Sequence, residues 1–119
     1  MFMEVNHIGI TSRDPEVSAN FYREIFGLPQ QEETEKAAKV LGIGKSNIAI
    51  YGEKNDPASP VFGSGCDFAI RVDPKSFREI EQRLFSQRLE YGVRKSSKTL
   101  FLNFQDPDGY LVELMCEEE

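Results

Sequence analysis

The sequence predicts an α+β fold, two βαβββ modules forming a curved mixed sheet. Three observations predict it. Asp14-Pro15 and Asp73-Pro74 repeat one helix-start signal 59 residues apart in a chain of 119. Each signal follows a short alternating apolar run and precedes a helical apolar stripe and three further strand-like runs. Each half is also too small to hide both faces of its own sheet, so the two share a sheet or a core.

The elements follow in order. Glu4–Thr11 alternates, with Asn6, Ile8 and Ile10 on one face and Val5, His7, Gly9 and Thr11 on the other. Ile8 and Ile10 belong to the core. Asp14 caps a helix over Pro15–Phe26, Pro15 fits its first turn, and Glu16 suits its positive end. Val17, Phe21 and Ile25 give the apolar face, and Gly27 ends the helix. Three strands come next: a polar edge strand at Gln30–Glu35, then Ala37–Ile43 and Asn47–Tyr51, with Gly42, Gly44 and Ser46 supplying the last turn.

Lys54–Gly65, with Asn55-Asp56-Pro57, Ser59-Pro60 and Gly63-Ser64-Gly65, reads as a linker. The chain is therefore expected to be a single domain over 1–119, with modules at about 1–53 and 66–119 and a linker at 54–65. In the second module Cys66–Val72 alternates with Phe68, Ile70 and Val72 inward. Phe77, Ile80 and Leu84 mark a helix running to about Gln87. Strands at Glu90–Arg94, Thr99–Phe104 and Leu111–Met115 complete it, the last two joined by the turn Asp106-Pro107-Asp108-Gly109.

Composition narrows the function. The net charge of -6 argues against nucleic acid as the main partner, because phosphate binding needs clustered Lys and Arg. One histidine excludes any two-histidine metal site built from one chain. Cys66 and Cys116 form no CxxC and fall in the core-facing phase of their strands, as reduced thiols do in the cytoplasm. Met1–Glu4 lacks a basic start and an apolar stretch, and no run is long enough for a membrane span, so the expectation is a cytoplasmic protein without membrane contact. P-loop, GxGxxG and GxSxG patterns are absent. The Glu117-Glu118-Glu119 tail reads as a solubilising end.

If each sheet packs its helix on the convex face, the concave faces form a cup, a natural small-molecule site. Strand phasing sends His7, Asn47, Ala49, Tyr51, Asp67, Phe101, Asn103, Leu111, Glu113 and Met115 toward it. A mid-strand carboxylate there is costly unless paired, protonated or bound to a metal, and Glu113 within Tyr110–Met115 is the sharpest case. Arg71 and Arg94 either neutralise an anionic substrate or sit solvated on the surface.

His7-Ile8-Gly9-Ile10, Phe21-Tyr22, Phe26-Gly27-Leu28, Asp106-Pro107-Asp108-Gly109 and Glu113-Leu114 together resemble the vicinal oxygen chelate superfamily. This is the family of glyoxalase I, extradiol dioxygenases and the fosfomycin and bleomycin resistance proteins. The resemblance implies the glyoxalase/bleomycin resistance/dioxygenase fold and a homodimer. Metal-binding members take ligands from the first, fourth, fifth and eighth strands, which implies His7, Asp67 and Glu113 here. Ala49 stands where glyoxalase I has a carboxylate, which speaks against glyoxalase I itself.

One imidazole and two carboxylates suit a divalent metal: Mn²⁺, Fe²⁺, Zn²⁺, Ni²⁺ or Mg²⁺. The function implied is a metal-dependent lyase, isomerase or thiol transferase acting on a small substrate with vicinal oxygens. Glu113 would be ligand and catalytic base, and Ala49, Tyr51, Phe101 and Asn103 would contact substrate. The alternative is a metal-free sequestering protein of the bleomycin-resistance type. In the plainer reading of the polar residues, Asp67 pairs with Arg71 or a helix end and His7 hydrogen-bonds Glu113.

Overall fold

The computed structural model describes residues 1–31, 39–52 and 67–118. The chain divides into two compact units, Met1–Phe62 and Gly63–Glu119. The first unit runs β1 (His7–Ser12), α1 (Pro15–Phe26), β2 (Gln30–Gln31), β3 (Lys39–Ile43) and β4 (Ser46–Gly52). The second repeats that order as β5 (Asp67–Arg71), α2 (Pro74–Ser86), β6 (Tyr91–Ser96), β7 (Thr99–Gln105) and β8 (Leu111–Glu117). Each unit carries a four-stranded sheet, ordered β1-β4-β3-β2 and β5-β8-β7-β6. Both are mixed: β1 is parallel to β4 and β5 to β8, and the other pairings are antiparallel.

Helix boundaries follow the capping chemistry. Asp14 accepts hydrogen bonds from the backbone N–H groups of Glu16 and Val17, and Asp73 accepts from that of Ser76. Gly27 ends α1 in the left-handed region at φ 70°, donating its N–H to the Arg23 carbonyl. The buried face of α1 differs from the expected one. Val17 is 51 % exposed, and the stripe against the sheet is Ser18, Ala19, Tyr22 and Ile25, with Phe21 half-buried. Steps of four advance about 40° beyond a full turn each, so 17-21-25 drifts off one face, whereas 18-22-25 stays on it. In α2 the buried residues are Phe77, Ile80 and Leu84, as expected.

Two other local expectations are corrected. β1 starts at His7 rather than Glu4, because its parallel partner β4 begins at Ser46 and the first paired residues are His7 and Asn47. Gly42 and Ser46 lie in strands, and the turn between β3 and β4 is Gly44-Lys45, with Gly44 at φ 56°. A Cβ at Gly42 would sit 2.6 Å from the terminal amide of Gln31, so that exposed side chain would have to swing aside. The expected continuation of β2 to Glu35, the start of β3 at Ala37, Cys66 and the linker at 54–65 lie outside the described residues.

The core of the first unit joins Ile10, Leu41, Ile48 and Ile50 to α1; that of the second joins Leu102, Phe104, Val112, Leu114 and Cys116 to α2. Strand alternation then leaves the opposite sheet face in each unit to carry the polar candidates. Among the described residues no helix is long and apolar enough to cross a membrane.

Candidate functional site

The helix-distal face of the first unit carries His7, Gly9 and Thr11 on β1, opposite Asn47, Ala49 and Tyr51 on β4. Tyr51 lies across the neighbouring strand at Gly9, where an added Cβ would sit 3.3 Å from Tyr51 Cε2. Ala49 packs with Val40 and Tyr51 and is only 4 % exposed, so it forms the floor of this patch. His7 is exposed at the start of β1, with Nδ1 2.9 Å from Asn6 Oδ1.

The matching face of the second unit carries Glu113 at its middle. Glu113 stands opposite Ala69 on β5 and Asn103 on β7, and Asp67 is placed opposite Leu111 on the same strand pair. The Glu113 side chain is 25 % exposed, and its Oε2 lies 3.7 Å from Nη2 of Arg94. Arg94 in turn rests on an aromatic ring, its Cζ 4.0 Å from the centre of Phe101. The backbone register explains the contact. A two-residue turn at Ser97-Lys98, with Ser97 at φ 56°, pairs Ser96 with Thr99 and therefore Arg94 with Phe101.

Asn103 also lines an open cavity of about 680 Å³, together with Tyr91, Gly92, Gln105, Asp106 and Leu111. The turn below it is rigidly built. Asp106 Oδ1 accepts from the N–H groups of Asp108 and Tyr110, each at 2.9 Å, and Gly109 takes φ 89°. That turn sets the register that brings Asn103 opposite Glu113.

The structure thus groups His7, Ala49 and Tyr51 on one face in the first unit, and Phe101, Asn103 and Glu113 on one face in the second. Among the described residues no three His, Cys, Asp or Glu side chains come together as a metal cluster. Among the described residues the imidazole contacts Asn6, Glu113 meets Arg94, and Arg71 lies 3.9 Å from Glu117. The expectation missed Arg94 as the partner of Glu113. Its signal was the short turn at 97–98, which fixes the hairpin register. Cys116 is buried at 1 % exposure, and that burial pushes its thiol up, with the nearby Glu118 carboxylate adding to the effect. It is not an activated nucleophile.

Comparison with known proteins gives the lineage. Metallothiol transferase FosB of Staphylococcus saprophyticus is 28 % identical over 117 residues, 96 % of this chain and 77 % of that protein. Glutathione transferase FosA of Serratia marcescens is 25 % identical over 115 residues, 96 % of this chain and 81 % of that protein. The solved structure of oxidase ChaP-H2 superposes with a TM-score of 0.83 at 18 % identity, covering 98 % of this chain and 95 % of that one. The family model described as Glyoxalase/Bleomycin resistance protein/Dioxygenase superfamily matches residues 4–114. With that match running from before β1 into β8, the chain belongs to the Glyoxalase/Bleomycin resistance protein/Dioxygenase superfamily.

Proposed function

We propose that this protein is a divalent-metal-dependent enzyme acting on a small molecule with vicinal oxygens, and that its reaction is a thiol transfer. The names of the relatives FosB and FosA support the reaction class, as a metallothiol transferase and a glutathione transferase. The observation that carries the reading is Glu113. It is a mid-strand carboxylate, largely withdrawn from solvent, on the sheet face away from the core, and its ion pair at 3.7 Å is longer than a charge-assisted hydrogen bond. A carboxylate in that position keeps its oxygens available for a cation.

The donor chemistry fits. His7 contributes an exposed imidazole whose Nδ1 lies 2.9 Å from Asn6 Oδ1, and a hydrogen bond on one ring nitrogen is a common way to orient a metal-bound imidazole. The proposed ligands are His7, Asp67 and Glu113, one imidazole and two carboxylates, a hard set suited to Mn²⁺, Fe²⁺, Zn²⁺, Ni²⁺ or Mg²⁺. A divalent cation held there supplies Lewis acidity toward paired substrate oxygens. The proposed roles are Glu113 as the group that takes or returns a proton, Asn103 as an amide donor to a substrate oxygen, and Phe101 in the second unit and Ala49 and Tyr51 in the first as substrate contacts. The protein is proposed to be a cytoplasmic homodimer comprising one domain per chain. Its buried thiol at Cys116 accords with a reducing compartment.

A second reading has one observation in its favour. The ion pair between Arg94 and Glu113 neutralises the carboxylate without a metal, as a metal-free sequestering protein would. Elemental analysis of purified protein separates the two. The metalloenzyme reading expects about one divalent metal per chain, lost in both His7→Ala and Glu113→Gln. Sub-stoichiometric metal indifferent to both substitutions would overturn it and leave the sequestering reading.

A further inference from the structure

The register of the second sheet sets two rows of residues side by side on its open face. One row is Gly92, Asn103 and Glu113, across β6, β7 and β8; the next, toward the Asp106–Gly109 turn, pairs Gln105 with Leu111. The cavity of about 680 Å³ lies at this end of the sheet, with Leu89 and Glu90 completing its rim ahead of β6. Gly92 is exposed on an edge strand and is not one of the glycines in the left-handed region, so no turn requires it. Glycine weakens a strand, and what it leaves here is space. A Cβ at Gly92 would lie 3.4 Å from Oδ1 of Asn103. Asn103 is half-buried, and among the described residues neither its carboxamide nor that of Gln105 has a hydrogen-bond partner. Carboxamides placed in this way favour a ligand that supplies the missing bonds.

We propose that this cavity binds a neutral planar group bearing a primary amide or lactam, and that Gly92 sets the size it admits. Each carboxamide offers both a donor and an acceptor, so Asn103 and Gln105 match a ligand group of the same kind. Charge points the same way. Among the described residues that line the cavity none is cationic, so an anion entering it would lose water without gaining a partner. Glu90 is exposed, and solvent screens the attraction it offers a cation. The Asp106 carboxylate is committed to the turn, where its Oδ1 holds two N–H groups. Leu89 and Leu111 supply apolar contact for the flat part of the ligand. The proposal rests on the reading of Asn103 as a substrate contact and needs no metal.

The test is an NMR titration of backbone and carboxamide resonances with three probes of one shape: benzamide, benzoate and benzamidine, which are neutral, anionic and cationic. Benzamide should shift the resonances of Gly92, Asn103 and Gln105 and bind about tenfold tighter than either charged probe. Gly92→Val should weaken benzamide about tenfold while Tm holds or rises, because valine suits a strand better than glycine. A damaged fold would lower both, so the opposite signs mark a binding role. Gln105→Leu should weaken benzamide about fivefold at unchanged Tm. Benzoate or benzamidine binding as tightly as benzamide overturns the proposal. So does benzamide binding that is unchanged in Gly92→Val, or that leaves the three named residues unshifted. The titrations are run on the protein as purified and again in EDTA. Benzamide binding lost in EDTA would assign the ligand to a metal and overturn the proposal. Binding kept in EDTA upholds it whatever the elemental analysis finds, so this inference and the metal reading fail separately.

Discussion

Replacing Asp106 by alanine should destabilise the second unit by about 3 kcal/mol. Asp106 is only 5 % exposed, and one of its oxygens accepts two backbone N–H bonds at 2.9 Å, from Asp108 and Tyr110. Those two residues are themselves 7 % and 5 % exposed, so alanine leaves their N–H groups dry as well as unpaired. A hydrogen bond to a charged acceptor contributes about 1.5–3 kcal/mol, and two at the lower figure give the estimate. At this chain length that corresponds to a fall in Tm of about 10 °C.

Urea titration followed by circular dichroism measures the loss, with Asp106→Asn as the companion variant. Asparagine keeps an accepting oxygen and should cost about 1 kcal/mol, roughly a third of the alanine loss. An alanine variant within about 0.5 kcal/mol of wild type would mean that solvent reaches both N–H groups and that the turn does not depend on the carboxylate. The consequence for the site is specific. The turn sets the pairing of Asn103 with Glu113, so affinity for the proposed metal, measured well below the melting temperature, should also weaken.

Three further outcomes follow from the same geometry. Val17→Ala should change stability by less than about 0.5 kcal/mol while Ile25→Ala costs about 3 kcal/mol, because the first side chain is 51 % exposed and the second 0 %; chemical denaturation of the two variants checks it. Asp73 is held below the ordinary aspartate value of 3.8, chiefly by its hydrogen bonds from Ser76, first the hydroxyl and then the N–H. A depressed acid stabilises the folded state above 3.8 and loses that contribution as pH falls through its lowered value, so Asp73→Asn should flatten the stability curve below about pH 4 and leave its slope near pH 7 unchanged. In a Cys66→Ser background, Cys116 should resist a thiol reagent at pH 8 in the native protein and react fully in denaturant, since burial raises its pKa; rapid native labelling would contradict the assigned burial.

The parts of the fold set by local chemistry were legible in the sequence. Asp14-Pro15 and Asp73-Pro74 mark the two helix starts because an N-cap carboxylate followed by proline satisfies the free N–H groups at any such end. The strand alternation around His7 and Glu113 placed both on the faces away from the helices. Features decided by tertiary contact were not legible. Val17 and Tyr22 are both apolar enough for a buried stripe, and the small side chains of Ser18 and Ala19 select the face that approaches the sheet. Gly42 reads as a turn residue by composition, yet it lies within β3, where the Gln31 amide packs close against it. Arg94 reads as a surface charge until the hairpin register puts it over Phe101. The burial of Ala49 beneath Tyr51 likewise depends on the ring crossing to Gly9, a contact between strands that no local pattern encodes.

The strand order has an evolutionary consequence. In each unit the last strand in sequence, β4 or β8, is an inner strand, hydrogen-bonded on both sides. In the second unit that strand also bears Glu113. Trimming it would therefore remove the carboxylate and unzip the sheet together. A descendant of this chain cannot shed Glu113 by deleting this strand and remain folded. It can lose or retune the chemistry only through point substitution on an intact frame, which keeps the scaffold available while the residues on its open face change.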